Sequence, residues 1–180
     1  MLEADPALRL GQQAPDFRDL AGADGQTYSL PSFGGRELLV VLFTGNGCPT
    51  AKACEPGLVE LQDRLGPRGV QLVLINANNP YLSPPDTLAE MSWRAKDRRY
   101  PFPYLKDADG SVARAYGATR TPQAFVFDGD RRLRYRGRIF DARELSRVKR
   151  HDLEEALADL LAGREVRVPE TQAFGCSIVW

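Results

Sequence analysis

Two hydrophobic rhythms run through this chain. Leu38 to Phe43 is an unbroken apolar run, β-branched in its middle and closed by Gly45 and Gly47, which predicts a strand buried on both faces. Cys54, Leu58, Leu61 and Leu65 then recur at intervals of four, three and four, the spacing of one apolar helix face. Residues 69–77, with Val70, Leu72, Val73, Leu74 and Ile75, predict a second buried strand, followed by a loop over 76–85. Thr87-x-x-Glu90 reads as a capping box opening a helix whose Leu88, Met91 and Ala95 share a stripe. A short helix over 111–116 should stop at Gly117 in a left-handed cap.

Thr121-Pro122 opens an apolar strand ending at Phe127, which turns at Asp128-Gly129-Asp130 into residues 131–138, where Leu133 and Tyr135 alternate with Arg132, Arg134 and Arg136. These arginines read as the solvated face of an edge strand. Asp152-x-x-Glu155 reads as a capping-box-like start for a last helix, with Leu153, Ala156, Leu157 and Leu160 inward and Gly163 as its stop. Turn signals between residues 11 and 36 predict an opening hairpin. Strands alternating with helices predict an α/β class with a parallel sheet core covered by helices.

Composition narrows the function classes. The 180 residues predict one domain, 1–180, and 43% hydrophobic with 27% charged residues is ordinary for a soluble globular protein. Lys plus Arg (24) balances Asp plus Glu (24), so no global field favours nucleic acid or an anionic membrane. The opening Met-Leu-Glu-Ala-Asp-Pro lacks a basic region followed by an apolar core, and no stretch approaches the ~20 apolar residues of a membrane span; a cytoplasmic location is the expectation. Three cysteines are too few and too odd in number for a disulfide scaffold.

The chemistry centres on Gly45-Asn46-Gly47-Cys48-Pro49. Pro49 suits the first helical position, which makes Cys48 the N-cap, with its sulfur beside the unpaired N–H groups of the first turn. The glycines predict exposure, and the helix dipole together with Lys52 predicts a stabilised thiolate. Cys54, on the apolar helix face, reads as core. His151, the one histidine, stands just outside the last helix. Metal ligation by Cys48, Cys54 and His151 is disfavoured by the spacing of the two cysteines, and no cofactor is expected.

A strand into a cysteine at a helix start, with Pro56 eight residues after Cys48, resembles the thioredoxin-like superfamily. Ala14-Pro15-Asp16-Phe17, the Asp-Gly turn and the Gly-Cys-Ser-Ile-x-Trp ending resemble its redoxin branch and a peroxiredoxin-like group within it. The resemblance implies a central mixed β-sheet flanked by helices, with an N-terminal hairpin and a C-terminal tail extension. It places Cys48 at the nucleophilic cysteine and Ala51 where the usual second cysteine stands. It implies a cis peptide before Pro122, with Pro49, Arg120, Thr121 and Pro122 forming the substrate-binding surface.

Neither Cys48 nor Cys54 has the Pro-x-x-x-Thr/Ser-x-x-Cys of peroxiredoxins, since Gly45 and Val41 precede the first and Ala51 and Gly47 the second. The leading expectation is therefore a thiol-disulfide oxidoreductase. Its partners would be a disulfide-bearing protein or a small thiol or peroxide, and an external reductant such as a thioredoxin or a low-molecular-weight thiol. A thiol peroxidase, and a non-catalytic redoxin domain binding a partner or metal, are the alternatives.

Six residues of helix set Cys54 ~9 Å along the axis from Cys48, beyond the ~7 Å Cα separation that a disulfide tolerates. Cys176 lies on a segment that can cross the surface, anchored by Phe174, Ile178 and Trp180. Any intramolecular disulfide is thus expected to join Cys48 to Cys176, with Cys54 the alternative resolving thiol.

Overall fold

The computed structural model describes residues 8–180; the opening six residues, read above for targeting signals, lie outside the described residues. Its main sheet has seven strands in the order β2-β1-β5-β4-β3-β7-β8. These are β1 (Leu20–Gly22), β2 (Thr27–Tyr28), β3 (Leu38–Thr44), β4 (Val70–Asn76), β5 (Tyr104–Lys106), β7 (Gln123–Phe127) and β8 (Leu133–Gly137). β3, β4 and β5 run parallel, whereas β1, β7 and β8 join antiparallel to their neighbours. The expected α/β architecture, a mixed sheet flanked by helices, is present, and the opening hairpin is β1–β2. A second, two-stranded ladder pairs β6 (Arg120–Thr121) with β9 (Cys176–Ser177).

β3 is fully buried because both of its faces are covered. Leu38, Val40 and Leu42 pack with α1 (Pro49–Leu65), α2 (Leu88–Asp97) and α4 (Asp152–Leu161), contributing beside Leu58, Met91 and Leu157. Leu39, Val41 and Phe43 pack on the opposite face against Val112 and Tyr116 of α3 (Ser111–Tyr116). Each large apolar side chain so enclosed contributes about 1.5–3 kcal/mol of burial. Between α1 and α2, the bidentate pair of Arg94 with Glu55 (2.6 and 2.8 Å) crosses at nearly buried positions.

Several expectations need correction. β5 is too short to leave a periodic signal, and its first two residues lie within Tyr100–Leu105, where no strand was expected. Leu88 faces outward at 38% exposure, so the inward stripe of α2 rests on Met91. Asp152 does not cap α4. His151 is the N-cap residue and bonds through no side chain, while the buried Asp152 carboxylate accepts from Arg138 Nε at 2.8 Å. β8 is indeed the sheet's edge, but its arginines are tethered: Arg134 pairs with Asp128, and Arg136 donates to the Leu8 carbonyl. β7 starts just after Thr121-Pro122, as expected, and the short β6 before it is a separate strand, because Pro122 has no N–H to continue a ladder. No described helix is long and apolar enough to cross a membrane.

Candidate active site

β3 delivers the chain to the turn that precedes α1. There Asn46 is buried, its N–H donating to Asp86 Oδ1 (2.7 Å), its side-chain amide to the Pro85 carbonyl (2.8 Å), and its Oδ1 accepting from Tyr104 (2.7 Å). Gly45 belongs here for a steric reason, since a Cβ would stand 2.6 Å from Asn78 Nδ2. This network fixes the turn, and Cys48 emerges as the N-cap of α1 with Pro49 at its first position.

Cys48 Sγ accepts from Ala51 N–H at 3.4 Å and, protonated, donates to the Thr121 carbonyl at 3.2 Å. The peptide between Thr121 and Pro122 is cis, as the resemblance implies. Cys176 comes to the same place from the tail, opposite Thr121 in the β6–β9 ladder, near enough that each thiol influences the ionisation of the other. Cys48 is therefore 3% exposed, not open to solvent as its glycine neighbours suggested; the tail covers what the glycines leave free.

Burial opposes ionisation of Cys48, yet the donors around its sulfur outweigh it and hold the thiol below its ordinary value. Cys176 S–H, Thr121 and Ala51 N–H supply this, not the exposed Lys52. The Thr121 hydroxyl is buried and has no hydrogen-bond partner among the described residues, so its proton is unclaimed. Cys176 moves the opposite way. Burial, its bond to Cys48 and the charge that Cys48 carries push its thiol up to about 11, against a pull from Arg143. Cys54 is buried in the α1 core and its thiol is pushed up to about 12 by burial first, with Cys48 and Glu55 adding to the rise.

The tail is held along its length. Arg120 Nη1 donates to Ser177 Oγ (2.6 Å), Ile178 N–H to the Thr119 carbonyl (3.0 Å), and Val179 N–H to Asn78 Oδ1 (2.8 Å). Ile178 is buried in the core and Trp180 stacks under Arg114, 4.3 Å from guanidinium carbon to ring centre. Gly175 makes the approach feasible, because a Cβ there would lie 2.0 Å from the Thr121 carbonyl oxygen.

The structure thus brings Cys48, Cys176, Thr121, Pro122 and Arg120 together and sets Cys54 apart in the core. The backbone edge of Arg120 and Thr121, assigned above to a substrate, is occupied by β9, and Pro49 lies exposed beside it. Asn46, Asn78 and Asp86, which the sequence reading did not single out, position the Cys48 turn and the tail through one network. Their only sequence signal is polar residues immediately after buried apolar runs. His151 packs edge-on against Phe140, and among the described residues no three His, Cys, Asp or Glu side chains gather as metal ligands.

Comparison with known proteins fits this geometry. The redoxin family model matches residues 9–157. An uncharacterized conserved protein from Geobacillus kaustophilus superposes with a TM-score of 0.90 at 36% identity, covering 96% of this chain and 93% of its own. A hypothetical protein from Sinorhizobium meliloti 1021 gives 0.90 at 35% identity, covering 97% and 96%. A thiol-disulfide oxidoreductase, ResA, from Bacillus thuringiensis is 22% identical over 123 residues, 68% of this chain and 66% of that protein's length. With the family model spanning most of its length, this chain belongs to the redoxin family.

Proposed function

We propose that this redoxin is a thiol-disulfide oxidoreductase with Cys48 as nucleophile and Cys176 as resolving thiol. The observation that carries the reading is the β6–β9 ladder, which sets Cys176 directly opposite Thr121, the residue whose carbonyl accepts from Cys48 Sγ. The Cys48 thiolate attacks one sulfur of a substrate disulfide and expels the other as a thiolate. Cys176, after losing its proton, attacks Cys48 Sγ in the mixed disulfide. The substrate leaves as its second thiol, and Cys48–Cys176 is left as the oxidised enzyme. An external reductant, a thioredoxin or a low-molecular-weight thiol, restores both thiols.

Ala51, at the position of the usual second cysteine, leaves this resolving role to the tail. The test is turnover of a protein disulfide with peptide mapping of the oxidised product. A Cys48–Cys176 bond supports the reading, and a Cys48–Cys54 bond or no turnover refutes it.

A second reading, hydroperoxide reduction, draws support from the site's enclosure and from Thr121. With 3% of Cys48 exposed, a small oxidant gains access more readily than a folded protein. The unpartnered Thr121 hydroxyl, on the residue whose carbonyl meets Cys48 Sγ, would stand in for the hydroxyl missing three residues before Cys48. Peroxide would convert the thiolate to a sulfenic acid with release of an alcohol or water, and Cys176 would condense with it, expelling water. Stopped-flow oxidation by hydrogen peroxide separates the readings, since only a dedicated peroxidase reacts faster than an ordinary exposed thiolate.

A further inference from the structure

Resting on the proposed Cys48–Cys176 pair, we infer that the external thiol which regenerates the oxidised enzyme attacks Cys176 Sγ, so that the mixed disulfide with the reductant is carried by the tail and not by Cys48. Cys48 is 3% exposed, its sulfur enclosed by Ala51 N–H, the Thr121 carbonyl and Cys176. Cys176 is partly exposed, because β9 is the outer strand of a two-stranded ladder and no further strand pairs with it among the described residues. A thiolate that reaches the site from solvent meets Cys176 first.

The surroundings point the same way. Arg143 is exposed, lies over the Phe174 ring (5.6 Å from guanidinium carbon to ring centre) and exerts its charge on Cys176, so an anionic thiolate is drawn to this sulfur. Displacement also depends on what is expelled, and a thiol of lower pKa leaves faster. Attack at Cys176 expels Cys48, whose thiolate keeps the Ala51 N–H and Thr121 as donors. Attack at Cys48 would expel Cys176, whose thiol burial raises and for which no backbone N–H donor among the described residues substitutes.

The steps balance. The reductant's thiolate forms a bond to Cys176 Sγ while the Cys48–Cys176 bond breaks, and its electron pair stays on Cys48 as thiolate. The reductant's second thiol, or a second molecule of a monothiol, once deprotonated, attacks the reductant sulfur of the mixed disulfide and expels the Cys176 thiolate, which takes up a proton. The reductant departs as a disulfide, having given two electrons. The nucleophile Cys48 is thus regenerated in the first step without ever bonding to the reductant.

The experiment uses the full-length oxidised protein, first mapped for its disulfide. It is then challenged with a thioredoxin whose second active-site cysteine is serine and, separately, with reduced glutathione, quenched in acid and digested for mass spectrometry. Adducts on the Cys176 peptide, in at least about tenfold excess over the Cys48 peptide, are expected. Adducts mainly on the Cys48 peptide, or an intact Cys48–Cys176 bond that resists both thiols, would overturn the inference while leaving the disulfide itself established. Absence of that bond before the challenge would instead overturn the reading on which the inference rests.

Discussion

Two regions of the molecule bring a second sulfur into the neighbourhood of Cys48, and they do so in opposite ways. Cys54 sits six residues along the same helix, in a core shared with Leu58 and Leu61, where burial raises its thiol to about 12. Cys176 comes from far along the chain, yet the β6–β9 ladder sets it opposite Thr121, within hydrogen-bonding reach of Cys48. Proximity along the chain does not decide which thiol can exchange with Cys48. A helix fixes its own cysteines on separate turns, whereas a strand delivered by the tail can meet the N-cap directly.

Removing each thiol in turn tests the contrast most strongly. Cys176→Ser should accumulate a mixed disulfide on Cys48 and lower disulfide turnover at least on the order of 100-fold, the loss of an intramolecular attack, with unchanged thermal unfolding. Cys54→Ser should reverse the pattern. Turnover is kept, but a hydroxyl replaces a thiol in the core, at a cost of about 1–3 kcal/mol in denaturant unfolding. Equal loss of turnover in both variants would erase the distinction.

Gly175→Ala should push the tail away from the Thr121 carbonyl and open Cys48 to alkylation. The Cys48 alkylation rate at a fixed pH should rise, because the covering tail no longer limits access to the sulfur. A variant that alkylates as the parent does would show that the tail does not govern the nucleophile.

In the parent protein, alkylation against pH should resolve two phases. Cys48 should react with a midpoint below the ~8.5 of a free thiol, and Cys176 should follow only at strongly alkaline pH, near its value of about 11. A single phase would remove the asymmetry between the two sulfurs. The smallest effect belongs to Arg120→Ala. It deletes one exposed hydrogen bond to Ser177 and should weaken tail docking by about 0.5–1.5 kcal/mol, seen as a modest rise in Cys48 alkylation rate.

The strand into Cys48, the helix that Pro49 opens and the buried stripe of α1 were legible because each is a local pattern of side-chain types. Cys54 was readable as core for the same reason. The burial of Cys48 was not, because it depends on pairing between Thr121 and Cys176, and backbone hydrogen bonds between distant strands leave no periodic trace. Lys52 drew attention by nearness in sequence, while the groups that act on the sulfur come from β6 and β9. Asp152 looked like a helix cap because its residue type and spacing fit one. Arg138 claims its carboxylate instead, a partner that only the turn after β8 brings into place.

The ladder between β6 and β9 joins only two residue pairs, and its main apolar anchor is Ile178. Together with the ties of Ser177, Val179 and Trp180 these contacts are local to the tail, so it can detach while the seven-stranded sheet stays intact, because the free energy of a local opening is set by the contacts it breaks. The amide protons of Ile178 and Val179 should therefore exchange with solvent deuterium through brief excursions of the tail. Those of Val41 and Leu42, at the centre of the sheet, should wait for unfolding of the whole. How often the last strand lifts would then set how quickly any molecule larger than a small oxidant meets the buried sulfur.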